Sequence, residues 1–331
     1  MDILTKMRSA LPGLALASCM AALAYFAGEF LPLSAMLIAL LFGFLLHPVS
    51  IKLPAFNQGV NFSANEVLKF GIVCMGARIN LSMIVEIGWV AFLSVAILMV
   101  ITTLSGFYLS RKMGLSHSLS ILCAGAVSVC GSAAALALCS LLPQHEKSDT
   151  DLVFVIVGVT ILSTIGMVLY PVFLSFLPLD STDVGIILGA SLHNVAQTVA
   201  SGFSVSDSVG ENATIIKLMR VSLLAPYVLV VSILIRGFVD TKTPNKRPPI
   251  LPNFIIGFIL VTGLNSIGLI PELITGLLVF LSKACLLISV VAIGIRTAFG
   301  QLKAVDPSAI KLLILLSMIL FAGSIGLVGL L

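Results

Sequence analysis

Charged residues are scarce in this chain: Asp, Glu, Lys and Arg make up 10% of its 331 residues, whereas soluble domains average about 25%. Hydrophobic residues make up 59% and the mean hydropathy is +1.18. This composition excludes a soluble globular fold and predicts a protein embedded in a lipid bilayer. The net charge of +4 then indicates basic loops at one face of that bilayer, with no nucleic acid as a partner.

Soluble domains and common catalytic motifs are also lacking. The longest hydrophilic stretches, residues 52–65, 144–151 and 237–249, are too short for a folded domain. GxxxxGK[ST], HExxH and GxSxG do not occur, so ATP-driven transport and the common hydrolase mechanisms are not expected. The six cysteines lie in apolar segments without CxxC or Cys/His spacing, which favours free thiols. We therefore predict neither an enzyme nor a cofactor or metal site.

Apolar runs of membrane-spanning length recur along the whole chain. A helix needs about 20 residues to cross about 30 Å of hydrocarbon. The runs predict eleven spans, give or take one, near residues 11–28, 31–47, 66–85, 88–109, 118–142, 151–177, 183–203, 213–235, 251–270, 273–295 and 308–331. The predicted fold is an all-α polytopic membrane protein with one transporter domain over residues 1–331. Lys and Arg concentrate in alternate loops, which predicts a cell inner (cytoplasmic) membrane protein with a cytoplasmic N-terminus.

A short internal repeat suggests how these spans are related. GARINLSMI at residues 76–84 resembles GIRTAFGQL at residues 294–302. On the predicted topology the two segments run in opposite directions through the membrane, as inverted repeats require. The repeat halves are predicted near residues 31–142 and 183–299. Arg78 and Arg296 are the basic residues of the two segments. Two roles are left for each of them: an anchor that sets the topology, or a charge in a vestibule.

The fifth predicted span is rich in small residues from Ser128 to Ala135. Small residues let two helices pack closely, which is one interpretation. The other is a broken helix whose unpaired N–H groups near Cys130, Gly131 and Ser132 face a ligand. Such a helix N-terminus in the membrane favours anions.

Polar side chains cluster in the seventh predicted span, where His193, Asn194 and Gln197 lie in one apolar run. On a continuous helix, His193 and Gln197 share a face because they are four residues apart. These groups could join neighbouring helices by hydrogen bonds. They could instead line a substrate path, where His193 can gain or lose a proton near neutral pH.

The eighth predicted span carries two cations, Lys217 and Arg220. Lys217 is expected near the outer end of the span, where its side chain can reach the lipid headgroups. Arg220 lies about two turns into the predicted span and stays charged, so it needs an anion, a carboxylate or a ring of carbonyls. No Asp or Glu lies in the interior of a predicted span. This scarcity favours an anionic solute over cation/proton antiport. The alternative is that Arg220 is a structural cation bound to helix carbonyls.

Four segments carry a resemblance to a known family: EVLKFGIVCMGARINLS, VSVCGSAAALA, GASLHNVAQTVASG and ATIIKLMRVSLLAP. In this order and spacing they resemble the sulfate exporter family of bacterial inner-membrane proteins, over about residues 60–300. The resemblance implies a fold of roughly ten spans, with inverted repeats and discontinuous crossing helices, related to cation/proton antiporters and bile-acid transporters. Seven residues match the family pattern: Cys130, Gly131, Ser132, His193, Gln197, Lys217 and Arg220. Asn194 departs from it, because the family commonly has an acidic residue there.

Together these features predict a secondary active transporter that moves a small anion, sulfate or an organic sulfonate, by alternating access. The anion is expected among the Ser128–Ser132 turn, the polar face of span seven and Arg220. Unwinding of spans five and ten opposite one another, with the cation of span eight facing the gap, would support this site. A proton or sodium gradient, or exchange, would drive transport, and a homo-oligomer stays open. The alternatives are an ion-coupled transporter of a neutral or cationic solute and a membrane sensor that transports nothing.

Overall fold

The computed structural model describes residues 3–30, 35–52, 54–79, 81–142, 149–236, 253–296 and 307–329. Within these ranges the chain is helical and contains no β-strand. The helices are α1 (Ile3–Phe30), α2 (Ala35–Lys52), α3 (Asn57–Phe62), α4 (Leu68–Met75), α5 (Leu81–Lys112), α6 (His117–Ser128), α7 (Ser132–Leu141), α8 (Asp149–Leu174), α9 (Ser181–Ser191), α10 (Val195–Val205), α11 (Asp207–Ser222), α12 (Leu224–Arg236), α13 (Asn253–Ser266), α14 (Glu272–Arg296) and α15 (Pro307–Val328).

Six of the described helical segments are long and apolar enough to cross a membrane. They are Ala10–Phe30, Trp89–Lys112, Asp151–Leu174, Asp207–Ile233, Glu272–Arg296 and Ser308–Val328. Many of their large apolar side chains are exposed; on α5, Leu93, Ile97, Leu104 and Tyr108 form such a stripe at helical spacing. Exposed apolar stripes are expected where helices contact lipid, and the predicted all-α polytopic membrane protein is confirmed.

Two predicted span boundaries are wrong. The boundary between spans three and four was predicted between residues 85 and 88, but α5 is continuous from Leu81, and α4 ends at Met75. Span eight was predicted to begin at residue 213, but α11 begins at Asp207 because the Ser206 hydroxyl accepts a hydrogen bond from Val209 N (3.2 Å). Acidic residues therefore do lie on this candidate span.

The helix breaks lie in spans five and seven. Span five is broken between α6 and α7, which confirms a discontinuous helix there. The second break lies in span seven, between α9 and α10, whereas span ten is the continuous helix α14. Residues 273–295 contain no proline, so no missing N–H interrupts the hydrogen-bond ladder of α14.

The chain divides into two compact units. Unit 1 comprises the described residues of Met1–Ile87, Val199–Glu211 and Asn253–Ala298, and unit 2 those of Gly88–Thr198, Asn212–Pro252 and Phe299–Leu331. In unit 1, α14 packs against α2 and α4, and α1 packs against α2 and α3. In unit 2, α15 packs against α6, α8 and α9, and α8 packs against α6 and α7. The repeat halves predicted from the sequence stay a prediction.

Glycines allow the closest helix approach in unit 1. A Cβ atom added at Gly294 on α14 would lie 2.7 Å from the carbonyl oxygen of Leu40 and 2.8 Å from Gly43 Cα, both on α2. Real Cβ atoms do not come this close to a backbone, so α2 would have to move. Gly276, on the same helix α14, has no neighbouring atom within 4 Å of its added Cβ.

We expect Gly294→Ala to lower the unfolding midpoint of the detergent-solubilised protein, because overpacking costs about 1–3 kcal/mol. Gly276→Ala is the matched control and should leave the midpoint unchanged or raise it, since alanine favours a helix by about 1 kcal/mol over glycine. Thermal unfolding of both variants in one detergent measures the difference. Equal midpoints would show that α2 and α14 do not meet at these glycines.

Candidate functional site

The first helix break lies between α6 and α7 and depends on Gly131. Its φ of 68° and ψ of −122° are favourable only for glycine. Gly131 N donates to the carbonyl of Ala126 (2.8 Å), which closes the end of α6. Cys130 is buried inside the break, whereas Ser132, the first residue of α7, is half-buried.

The second break lies between α9 and α10 and is held by α8. The Ser163 hydroxyl on α8 accepts hydrogen bonds from His193 N (3.2 Å) and Asn194 N (3.3 Å). Asn194 Oδ1 accepts from Ala196 N (3.3 Å) at the start of α10. The interpretation of His193 and Gln197 as one helix face is wrong, because His193 lies in the break, whereas Gln197 lies on α10. Asparagine is a preferred helix N-cap, and this preference could have indicated the break.

The two breaks lie side by side in unit 2. A Cβ atom added at Gly131 would lie 3.3 Å from the carbonyl oxygen of His193 and 3.6 Å from His193 Cβ. The carboxyl ends of α6 and α9 therefore meet near the same point as the amino ends of α7 and α10. Each half-helix of 10–12 residues is about 15–18 Å long, which is about half of the hydrocarbon thickness.

Arg220 connects the carboxyl ends of α6 and α9. Its side chain is 1% exposed and donates only to backbone carbonyls among the described residues. Nε donates to Ser128 O (2.8 Å) and Nη2 donates to Val127 O, both at the end of α6. Nη1 donates to Ala190 O (2.7 Å) and Leu192 O (3.1 Å) at the end of α9. The alternative of a cation bound to helix carbonyls therefore describes Arg220 in this structure.

Lys217 lies against the same carbonyls. Its side chain is fully buried, and Nζ donates to Leu192 O (2.5 Å) and to Val129 O (3.5 Å). The predicted position near the outer end of the span, with the amine at the headgroups, is wrong. The reason is that two broken helices present carbonyls that a lysine on α11 can reach.

The charges around the breaks do not cancel. Each helix end carries about half an elementary charge, negative at the carboxyl end and positive at the amino end. Two carboxyl ends and two amino ends therefore cancel one another. The guanidinium of Arg220 keeps its proton, and among the described residues no ion pair includes Arg220 or Lys217. At least one positive charge thus remains at the breaks.

His193 combines a fixed ring with an unused nitrogen. The ring is 2% exposed, and Nε2 lies 2.9 Å from the hydroxyl of Ser317 on α15. Ser317 donates its own hydrogen to Leu313 O (2.7 Å), so the hydroxyl accepts from Nε2–H. The other nitrogen, Nδ1, is buried and makes no hydrogen bond of standard geometry with the described residues, although the backbone of Val127 lies close to the ring. In the neutral ring, Nδ1 is therefore an unused acceptor.

Gln197 has a similar unused acceptor. Its Nε2 donates to Thr164 Oγ1 (2.6 Å) and to Thr160 O (3.2 Å), while Oε1 is buried without a described partner. A buried polar atom without a partner costs about 1–3 kcal/mol. These acceptors are therefore suited to a proton, a water molecule or a hydrogen-bond donor on a ligand.

Sequence reasoning missed the residues on α8 and α15 that support the breaks. Thr160, Ser163 and Thr164 lie three and four residues apart, so they share one face of α8. This spacing was a usable signal, whereas Ser317 carried none by itself. The hydroxyl of the predicted site residue Ser128 already donates a hydrogen bond within α6, to Ala124 O (2.6 Å).

We expect Arg220→Gln to destabilise the protein by at least about 3 kcal/mol, because hydrogen bonds to a charged group contribute about 1.5–3 kcal/mol each. Arg220→Lys should recover only part of this loss, since one ammonium group cannot reach four carbonyls. Lys311→Gln, which changes an exposed cation on α15, is the control. Unfolding midpoints in detergent measure all three variants. If Arg220→Gln unfolds like Lys311→Gln, the carbonyl contacts do not stabilise the breaks.

Comparison with known proteins identifies relatives along nearly the whole chain. The family described as "Conserved hypothetical protein 698" matches residues 12–316. The UPF0324 membrane protein TauZ of Paracoccus denitrificans is 41% identical over 308 residues, which cover 92% of this chain and 91% of TauZ. A UPF0324 membrane protein of Rhizobium meliloti (strain 1021) is 36% identical over 323 residues, which cover 97% of this chain and 92% of that protein.

One solved structure is also similar. It is the sodium proton antiporter MjNhaP1 from Methanocaldococcus jannaschii, which is 13% identical to this chain. The superposition has a TM-score of 0.31 and covers 98% of this chain and 100% of that chain. The family match and the relatives confirm the family membership predicted from the four segments. This chain belongs to the UPF0324 family of membrane proteins, described as Conserved hypothetical protein 698.

Proposed function

We propose that this protein is a secondary transporter that moves a small anion across the cytoplasmic membrane, coupled to a proton on His193. The observation that carries the proposal is the pair of adjacent helix breaks with Arg220 among their carbonyls. The substrate would be a small oxyanion or organic anion such as sulfate or a sulfonate. The N-terminus would lie in the cytoplasm, and the substrate would leave chemically unchanged.

The anion would bind at the amino end of α7. The first N–H groups of a helix have no acceptor within that helix, and an anion there also interacts favourably with the helix dipole. Ser132 is half-buried and Ala133 is exposed, so the first turn of α7 is not covered by packing against the rest of the described chain. Arg220 would not contact the anion, because its donors are directed at carbonyls. It would instead contribute the positive charge that makes the region attractive to anions.

His193 would carry the coupling proton. Protonation at Nδ1 turns the unused acceptor into a donor and adds a positive charge beside Gly131, next to the amino end of α7. Burial and the neighbouring cations Arg220 and Lys217 disfavour a proton on His193 when no anion is bound. Protonation would therefore accompany binding of the anion, and the two would favour each other. This linkage couples anion movement to a proton gradient without an intramembrane carboxylate at the breaks.

We expect purified protein in proteoliposomes to transport labelled sulfate or a labelled sulfonate, at a rate that depends on a pH gradient. His193→Gln should remove this dependence and lower the rate at least tenfold, because glutamine cannot accept the proton. His117→Gln, at an exposed position at the start of α6, is the matched control and should transport normally. Anion transport that keeps its pH dependence in His193→Gln would contradict proton coupling at this residue.

A second candidate is transport of a neutral or cationic solute. The specific observation in its favour is that the unpartnered atoms, His193 Nδ1 and Gln197 Oε1, are acceptors. An ammonium or hydroxyl group would satisfy them directly, with Arg220 purely structural. A panel of anions, amines and neutral solutes in the same vesicles separates the two candidates. Saturable flux of any solute would also remove the alternative of a sensor that transports nothing.

A further inference from the structure

A second group of charges lies in unit 1. It joins Arg78, which follows α4, to Asp207 and Glu211 on α11 and Lys283 on α14. Asp207 Oδ2 accepts from Arg78 Nη2 (3.1 Å) and from Lys283 Nζ (3.2 Å). Arg78 Nε also forms an ion pair with Glu211 Oε1. The sequence allowed two roles for Arg78, a topology anchor or a vestibule charge. In the structure, Arg78 belongs to this cluster.

The cluster borders a cavity of about 170 Å³. Arg78, Asp207 and Lys283 form its charged end. The rest of the wall is mainly apolar and includes the buried side chains of Met36, Met75, Phe203, Leu286 and Leu287. A single water molecule occupies about 30 Å³ of liquid, so the cavity has room for a small organic molecule. Its two ends differ in polarity, which suits a ligand with a charged head and an apolar body.

The charged end is biased towards anions. The cavity lining holds two cations, which share one oxygen of a single carboxylate, whereas Glu211, which balances the charge of the whole cluster, is not part of the lining. Hydrogen-bond donors therefore outnumber carboxylate acceptors on the wall. A lysine has three donors and an arginine has five, which leaves donors of Lys283 and Arg78 for a ligand. Glu211 is 7% exposed and holds Arg78 in position.

A ligand can compete for these cations at low cost. The Asp207 and Lys283 side chains are 52% and 50% exposed. Ion pairs this exposed contribute about 0–1 kcal/mol. An anionic head group can therefore replace the Asp207 contact, while the apolar body of the ligand leaves water and adds a favourable contribution.

We propose that this cavity binds a small monovalent organic anion. The head group lies between Arg78 and Lys283, and the hydrocarbon body contacts Phe203 and Leu287. Binding at this site in unit 1 is measured without transport, so its failure is distinguishable from failure of the proposed function. A compact inorganic dianion such as sulfate lacks the body that the apolar wall recognises.

A series of alkanesulfonates tests the apolar wall. Methane-, ethane-, propane- and butanesulfonate are titrated by calorimetry into the purified full-length protein in detergent. Affinity should rise about fourfold per added methylene until the cavity is full, and sulfate should bind more weakly than propanesulfonate. Affinity that does not change with chain length, or tighter binding of propylammonium than of propanesulfonate, would overturn the proposal.

Charge variants test the head-group contacts. Lys283→Gln should weaken propanesulfonate binding at least tenfold, whereas Asp207→Asn should strengthen it by removing the competing carboxylate. Asp207→Asn keeps the cap of α11, which Ser206 provides. Lys69→Gln is the control, because exposed Lys69 pairs with Glu66 (2.6 Å) away from the cavity lining. Two variants that shift affinity in opposite directions cannot both report partial unfolding. If both weaken binding alike, the cluster is structural and the proposal fails.

Discussion

The contacts between the Arg220 guanidinium and the carbonyls of α6 and α9 are the interaction on which unit 2 depends. A helix that stops inside hydrocarbon leaves backbone groups unpaired, at a cost of several kcal/mol each. The guanidinium is a rigid planar fork with five donors, so one side chain can serve two helix ends at once. Lys217 donates to carbonyls of both breaks as well. With these contacts, two broken helices can persist side by side in a membrane protein.

Once the carboxyl ends are satisfied, the chemistry of the breaks lies at the amino ends. There the helix dipole of α7, the accessible Ser132 and the unused Nδ1 of His193 come together. In the proposed function, the cations would attract an anion without binding it, and His193 would supply the group that changes its charge. Unit 1 uses a different arrangement, in which Asp207 is shared by Arg78 and Lys283 next to an apolar cavity.

Much of the fold could be predicted from the sequence, because apolar runs and scarce charges depend only on composition and spacing. The importance of Arg220 also followed from its depth, since a permanent charge in hydrocarbon needs partners. Composition did not predict the break in span seven. Asn194, as a preferred N-cap residue, was a local sign of it, but Ser163 on α8, which holds it, lies 30 residues before His193 in the chain. The pairing of Arg78 with Asp207 was hidden for the same reason, at a separation of 129 residues. Contacts between distant residues leave no periodic pattern in a sequence.

The central claim is that the anion binds at the amino end of α7 while Arg220 stays on its carbonyls. Anomalous diffraction from crystals grown with selenate, a heavier analogue of sulfate, tests this claim most directly. The account predicts a selenium peak within hydrogen-bonding reach of the backbone N–H groups of Ser132 and Ala133, close to His193. A peak against the guanidinium of Arg220, with the carbonyls of Ser128 and Ala190 turned away, would contradict it.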